Sequence, residues 1–112
     1  MKTINIKGKN YVPVVERLKE FRSSENFKNW SLETEWLSIT QEVATCRVII
    51  RDENGVLKST GTAMELRDEK SSLVNKTSHV ENAETSAVGR ALGNLGIGLD
   101  GDEVASYEEV SR

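Results

Sequence analysis

The feature that most limits the fold is a pair of extended stretches joined at Asn54-Gly55. Val43 to Asp52 is rich in β-branched residues, and Val56 to Leu66 resumes the extended pattern. Asn-Gly is the favoured two-residue hairpin turn because both positions must take φ > 0, so residues 43–66 predict a long antiparallel β-hairpin. Alternation along a strand puts Ala44, Cys46, Val48 and Ile50 on one face of its first arm. Val43, Thr45, Arg47, Ile49 and Arg51 take the other. One face is core and the other is partly basic.

The best helix follows. Ser78 is a good N-cap, Glu81 completes a capping box, and Val80, Ala83, Ala87, Val88, Ala91, Leu92 and Leu95 recur with helical period. The pattern predicts a helix over 79–94 that Gly93, Gly96 and Gly98 end. Its stripe is mostly alanine with Ser86 and Gly89 nearby, so its partner comes very close. Upstream, Thr3 to Lys7 reads as a short strand ended by Gly8 and Asn10. Pro13, Val14, Leu18 and Phe21 predict a helix over 13–23, and Leu32 to Thr40 is strand-like. Residues 67–78 read as a loop, and Glu103 to Val110 leaves room for a short acidic helix. The order β-α-β-β-β-α implies an α+β domain: an antiparallel sheet of three to four strands packed by two helices on one face. Residues 1–99 form the core domain and 100–112 an acidic tail.

Composition narrows the function. A chain of 112 residues leaves no room for a two-domain enzyme, and 37% apolar residues give a thin core that oligomerisation would complete. One cysteine and one histidine make neither a disulfide nor a metal site without carboxylates, which points to a reducing cytoplasm. No apolar run has signal-peptide or membrane-spanning length, so the chain is expected to be neither secreted nor membrane-bound. The net charge of -3 is unevenly spread. The first thirty residues carry Lys2, Lys7, Lys9, Arg17, Lys19, Arg22 and Lys28 against three acids; the tail carries Asp100, Asp102, Glu103, Glu108 and Glu109 against Arg112. Such a tail can mask or compete for a basic surface.

Catalysis finds no support. His79 lacks a nucleophile partner and sits in a first helical turn, where it reads as structural or surface, with phosphate contact as the other role. Cys46 alternates with apolar residues as a small buried thiol. Asp100-Gly101-Asp102 falls short of a calcium loop, and the glycines at 93, 96 and 98 close a helix instead of opening one. No enzyme, cofactor or metal is expected. A nucleic-acid surface fits better, with Lys7, Lys9, Arg47, Arg51, Lys58, Lys76, Thr77 and Arg90 as phosphate contacts and Tyr11, Trp30 and Trp36 as stacking candidates. Lys76-Thr77-Ser78 would offer a cation, hydroxyls and free N–H groups at a helix start. The plainer readings are solvated lysines and core tryptophans.

The run from Asn75-Lys76-Thr77-Ser78-His79 to Gly89-Arg90-Ala91-Leu92-Gly93-Asn94-Leu95-Gly96-Ile97-Gly98 resembles the helix that ends the core of phage single-strand annealing proteins. These are recombinases of the Rad-fifty-two-like superfamily, of Erf and Sak type. Ile4-Asn5-Ile6-Lys7-Gly8-Lys9-Asn10-Tyr11 to Arg17 is similar to the start of small phage proteins of that group, and the resemblance runs over about residues 1–106. It implies binding of single-stranded DNA, annealing without ATP, homo-oligomeric rings or filaments, and a setting in a bacterial host cell. A phage nuclease or a host replication protein would be the protein partner. It assigns Arg90 to the helix arginine, Lys76 to the basic residue before it, and Arg47, Arg51 and Lys58 to a hairpin lining a DNA groove between subunits. Two other readings stay open. One is a small OB-like single-strand-binding protein without annealing activity; the other is a phage interaction or inhibitor module that does not bind DNA.

Overall fold

Small side chains decide how the helices meet the sheet. The computed structural model describes residues 1–67 and 78–111. Its strands are β1 (Ile4–Ile6), β2 (Lys9–Tyr11), β3 (Ser31–Ile39), β4 (Val43–Arg51) and β5 (Leu57–Leu66). Its helices are α1 (Val14–Ser23), α2 (Ser78–Asn94) and α3 (Tyr107–Ser111), with a 3-10 turn at Glu25–Phe27. The fold is α+β, with a three-stranded antiparallel sheet in the order β3-β4-β5 and a separate two-stranded hairpin, β1-β2. The first strand therefore stays out of the main sheet. Lys7 and Gly8 both take positive φ, 50° and 89°, and turn the chain straight back to pair Ile4 with Tyr11.

The turn between β4 and β5 differs from the two-residue form. Of Asn54 and Gly55 only Gly55 has positive φ, at 82°. The cause is Asp52, whose carboxylate accepts the N–H groups of Asn54 at 2.9 Å and Val56 at 3.0 Å, while Gly55 N–H donates to the Asp52 carbonyl at 3.0 Å. The side chain thus organises a longer loop. Lys58 is the extra residue of the bulge that follows, since Ile50 pairs with Ser59 and Arg51 with Leu57.

The faces of β4 fall as the alternation requires: Ala44, Cys46, Val48 and Ile50 are fully buried. Against them lie Ser59, Gly61 and Ala63 of β5 and the half-buried Leu32 and Trp36 of β3. Helix α2 lies on this face with Ala83, Ala87, Ala91 and Leu92 fully buried. Gly61 is the point of closest approach. A Cβ built there would overlap the Ala91 backbone nitrogen and stand 2.6 Å from the Ala87 carbonyl oxygen. Ser59 Oγ donates to the Ala91 carbonyl at 2.7 Å, and Asn94 Nδ2 to the Thr60 carbonyl at 2.9 Å, so strand and helix share hydrogen bonds as well as contact.

Gly96, with φ 105°, ends α2. Its N–H donates to the Gly93 carbonyl and that of Ile97 to the Leu92 carbonyl, each at 3.0 Å, the Schellman pattern with buried Leu92 and Ile97 as its apolar pair. Gly93 belongs to the helix. Its bare Cα lets α1 in, because a Cβ there would overlap the Arg17 guanidinium. Helix α1 lies along α2, and Phe21 carries the core outward through a stack on Phe27 and an edge-on contact from Phe27 to Trp30. After α2 the chain returns: Asp102 N–H donates to the Asn10 carbonyl at 2.8 Å and Tyr107 N–H to the Val12 carbonyl at 3.1 Å. Ser106 is fully buried there. Among the described residues no helix is long and apolar enough to cross a membrane.

Gly61→Ala is expected to cost about 3 kcal/mol or more, because only backbone faces the new methyl. Gly8→Ala, with open space around it and only its positive φ to strain, should cost about 1 kcal/mol. Urea denaturation of both variants checks this, and equal midpoints would contradict the packing.

Candidate nucleic-acid interface

The basic residues singled out by sequence fall in separate places, and carboxylates of the same chain attend most of them. Arg47 and Arg51 project from the face of β4 that α2 does not cover, 3.9 Å from Glu35 and 3.3 Å from Glu33 on the neighbouring strand. Lys58, in the bulge, lies 3.8 Å from Asp52 and 5.9 Å from the centre of the Trp30 ring. Lys7 is exposed in the β1-β2 turn. Lys9 Nζ donates to Glu103 at 2.6 Å, and that hydrogen bond and charge hold the ammonium above its ordinary pKa. Arg90 Nη2 donates to Glu109 at 2.8 Å. Lys76 and Thr77 lie outside the described residues. The cations of these pairs are themselves substantially exposed, and solvent screening weakens such pairs.

The aromatic candidates are placed differently. Tyr11 is buried, while Trp30 and Trp36 are half-buried and pack against the core cluster. Cys46 is a free thiol in the core; burial first, and the Glu84 charge second, push it up to about 11. Among the described residues no group of three His, Cys, Asp or Glu side chains could hold a metal ion.

Three residues matter beyond those the sequence reading chose for binding. The first two stand at one end of the sheet, where Thr40 closes the β3-β4 turn by accepting the N–H groups of Glu42 and Val43 at 3.1 and 3.0 Å. His79, in the first turn of α2, is buried with Nε2 2.9 Å from the Thr40 carbonyl oxygen. A carbonyl only accepts, so Nε2 carries the proton and the ring clasps the turn to the start of α2. On the turn's other side Arg67 N–H donates to the Glu42 carbonyl at 2.8 Å, and its guanidinium lies 3.6 Å from the Glu42 carboxylate. The turn, Arg67 and the start of α2 form one polar edge.

The third is Arg17, a cation with no exposed surface. Nη1 donates to the Gly89 carbonyl at 2.7 Å, while Nε and Nη2 have no partner among the described residues. Burial lowers its pKa, with the charges of Glu109, Glu108 and Asp100 opposing. The signal was present in the sequence: Arg17 follows Val14 by three and precedes Phe21 by four, on the helix face that also carries the apolar residues.

The order α1-β3-β4-β5-α2, with both helices on one side of a three-stranded antiparallel sheet, defines the class. Residues 18–95, more than half of the chain, match the family model described as Slr1353 N-terminal dsRNA-binding domain-like, and the chain belongs to that family. No curated protein and no solved structure matches it. The family overturns the resemblance to the phage single-strand annealing proteins. What suggested that kinship, an alanine- and glycine-rich helix after a hairpin, is here a packing requirement: Ala87 and Ala91 meet Gly61, Gly89 meets Val14, and Gly93 meets Arg17.

Two measurements test this account of the buried groups. Arg17→Met should match or exceed the native stability, since it replaces an under-bonded buried charge by an apolar chain of similar length, whereas Arg17→Ala leaves a cavity and should lose about 2 kcal/mol. A Met variant that melts below the Ala variant would refute it. Cys46 in the native chain should resist a thiol reagent at pH 8 and react in step with unfolding in urea.

Proposed function

We propose that this chain is a non-catalytic module that binds double-stranded RNA through the phosphates and sugars of its backbone. The observation that carries this is the family match, which takes in α2, the whole main sheet and most of α1. A-form RNA offers a wide, shallow minor groove lined with 2′-hydroxyls, and domains of the double-stranded-RNA-binding type read its shape over about 16 base pairs with little sequence dependence. Shape reading asks for polar projections on a rigid platform more than for one deep basic groove. That accords with scattered, acid-attended cations and with aromatic rings engaged in the core. A single-strand binder instead needs open rings on which bases stack.

The contact edge in this reading is the Thr40–Glu42 turn with the first turn of α2, joined by His79 and flanked by Arg67. Lys76 and Thr77, a cation and a hydroxyl, immediately precede that helix in the sequence.

Fluorescence anisotropy with a 20-base-pair RNA duplex, the DNA duplex of the same sequence and the single strands tests the reading. The RNA duplex should bind most tightly and independently of sequence. Lys76→Ala and Arg67→Ala should each weaken binding and lower the slope of log K against log salt by about 1. Single strands binding as well as the duplex, or no binding at 50 mM salt, would refute it.

A further inference from the structure

The acidic tail engages two cationic side chains, two backbone N–H groups and, through Asp100 at 3.1 Å, the N-terminal ammonium. Glu103 takes Lys9 Nζ at 2.6 Å, Asp102 the Asn10 N–H at 2.6 Å, Glu108 the Val14 N–H at 2.9 Å and Glu109 the Arg90 guanidinium at 2.8 Å. Val14 opens α1, and the residue before it, Pro13, offers no side chain to cap the helix. Glu108 therefore supplies an anionic oxygen where helix N-termini receive phosphates. From this geometry we infer that residues 100–111 are an internal polyanion, seated in cis on a strip that takes nucleic-acid phosphates when the segment leaves.

Arg17 gives the strip a second, independent mark. It lies beneath the segment, and the atoms a Cβ at Gly93 would meet are Arg17 Nη1 together with Val104 of the tail. Among the described residues two of its donor nitrogens are unpartnered, and so is the buried Glu109 Oε1. A guanidinium with an acceptor for only one of its nitrogens is costly to bury, and a phosphate, whose charged oxygens accept from two nitrogens at once, satisfies the others. Two backbone hydrogen bonds and the buried Ser106 hold the tail, but its charged contacts fit the strip incompletely. Helix α3 has five residues, Leu99, Val104 and Val110 remain exposed, and the ion pairs of Lys9 and Arg90 involve half-exposed cations. A phosphate backbone with the same charge pattern can displace it.

This inference rests on the reading of the chain as an RNA binder, and its test separates the two. The native chain and the triple variant Glu103→Gln/Glu108→Gln/Glu109→Gln are titrated with the 20-base-pair RNA duplex and with inorganic tripolyphosphate. Amide substitution keeps the shape of the tail and removes its charge. The variant should bind RNA about tenfold more tightly at 50 mM salt, with a log–log salt slope steeper by about 2, as Lys9 and Arg90 come free. Adding Arg90→Ala should cancel most of the gain. Equal affinity and slope for native chain and variant would overturn the inference while leaving RNA binding in place. If neither binds RNA but the variant alone binds tripolyphosphate, the RNA reading falls and the phosphate strip stands; if neither binds either probe, both fall. Hydrogen exchange of the native chain gives an independent readout. The Asp102 and Tyr107 amides, which hold the segment to Asn10 and Val12, should exchange faster at saturating RNA, and unchanged protection would overturn the displacement.

Discussion

The architecture depends on how closely α2 can approach β5. With Gly61 on the strand and Ala87 and Ala91 on the helix, backbone meets backbone, and Ser59 and Asn94 reach across to carbonyl groups. Interiors pack at nearly crystalline density, so this approach fixes where everything on the far side of α2 must lie. Gly89 and Gly93, on the opposite side of the helix, then admit Val14 and Arg17 of α1. A chain with few large apolar residues thus fills its core by bringing backbones together.

The same economy places charge where a larger protein would put leucine. Arg17 occupies the space between Gly89, Gly93 and Gly98, its methylene stem lying against Gly98 and its head under the returning tail. The result is a gradient of satisfaction: well-bonded backbone at the sheet, an under-bonded cation at the centre, and surface pairs that salt readily weakens. Stability comes from the first. In the proposed reading, the outer layers are where a polyanion competes, because exchanging one anionic partner for another there costs little.

Periodicity was legible. The buried face of β4, the alanine stripe of α2 and the extent of α1 all follow from the spacing of side chains along a single element, which is a local property. The break after Ser23 and the strand from about residue 32 were equally readable. The Asn54-Gly55 turn was legible as a turn but not in its form, because the Asp52 carboxylate competes for the same amides. Lys7-Gly8 takes the double positive φ instead and holds the first strand in a hairpin of its own. The family resemblance misled for a physical reason: small residues at helical spacing record close packing, and unrelated domains with a helix on a hairpin sheet share that need.

The partners of the charged residues were not legible. The sequence showed a basic start, an acidic end, and the competition between them that such a split allows. By itself it determined the α+β class, the position of the core and the small-residue helix that organises it, since each rests on regular spacing within one element. Only the tertiary structure decided that Glu103 meets Lys9, that Glu109 meets Arg90 and that His79 clasps Thr40. The spacing put Arg17 on the apolar face of α1, but only the tertiary structure closes Gly93, Gly98 and the tail around it. Those contacts join residues far apart in the chain, and their geometry exists only after α2 has settled on Gly61 and the tail has folded back over α1.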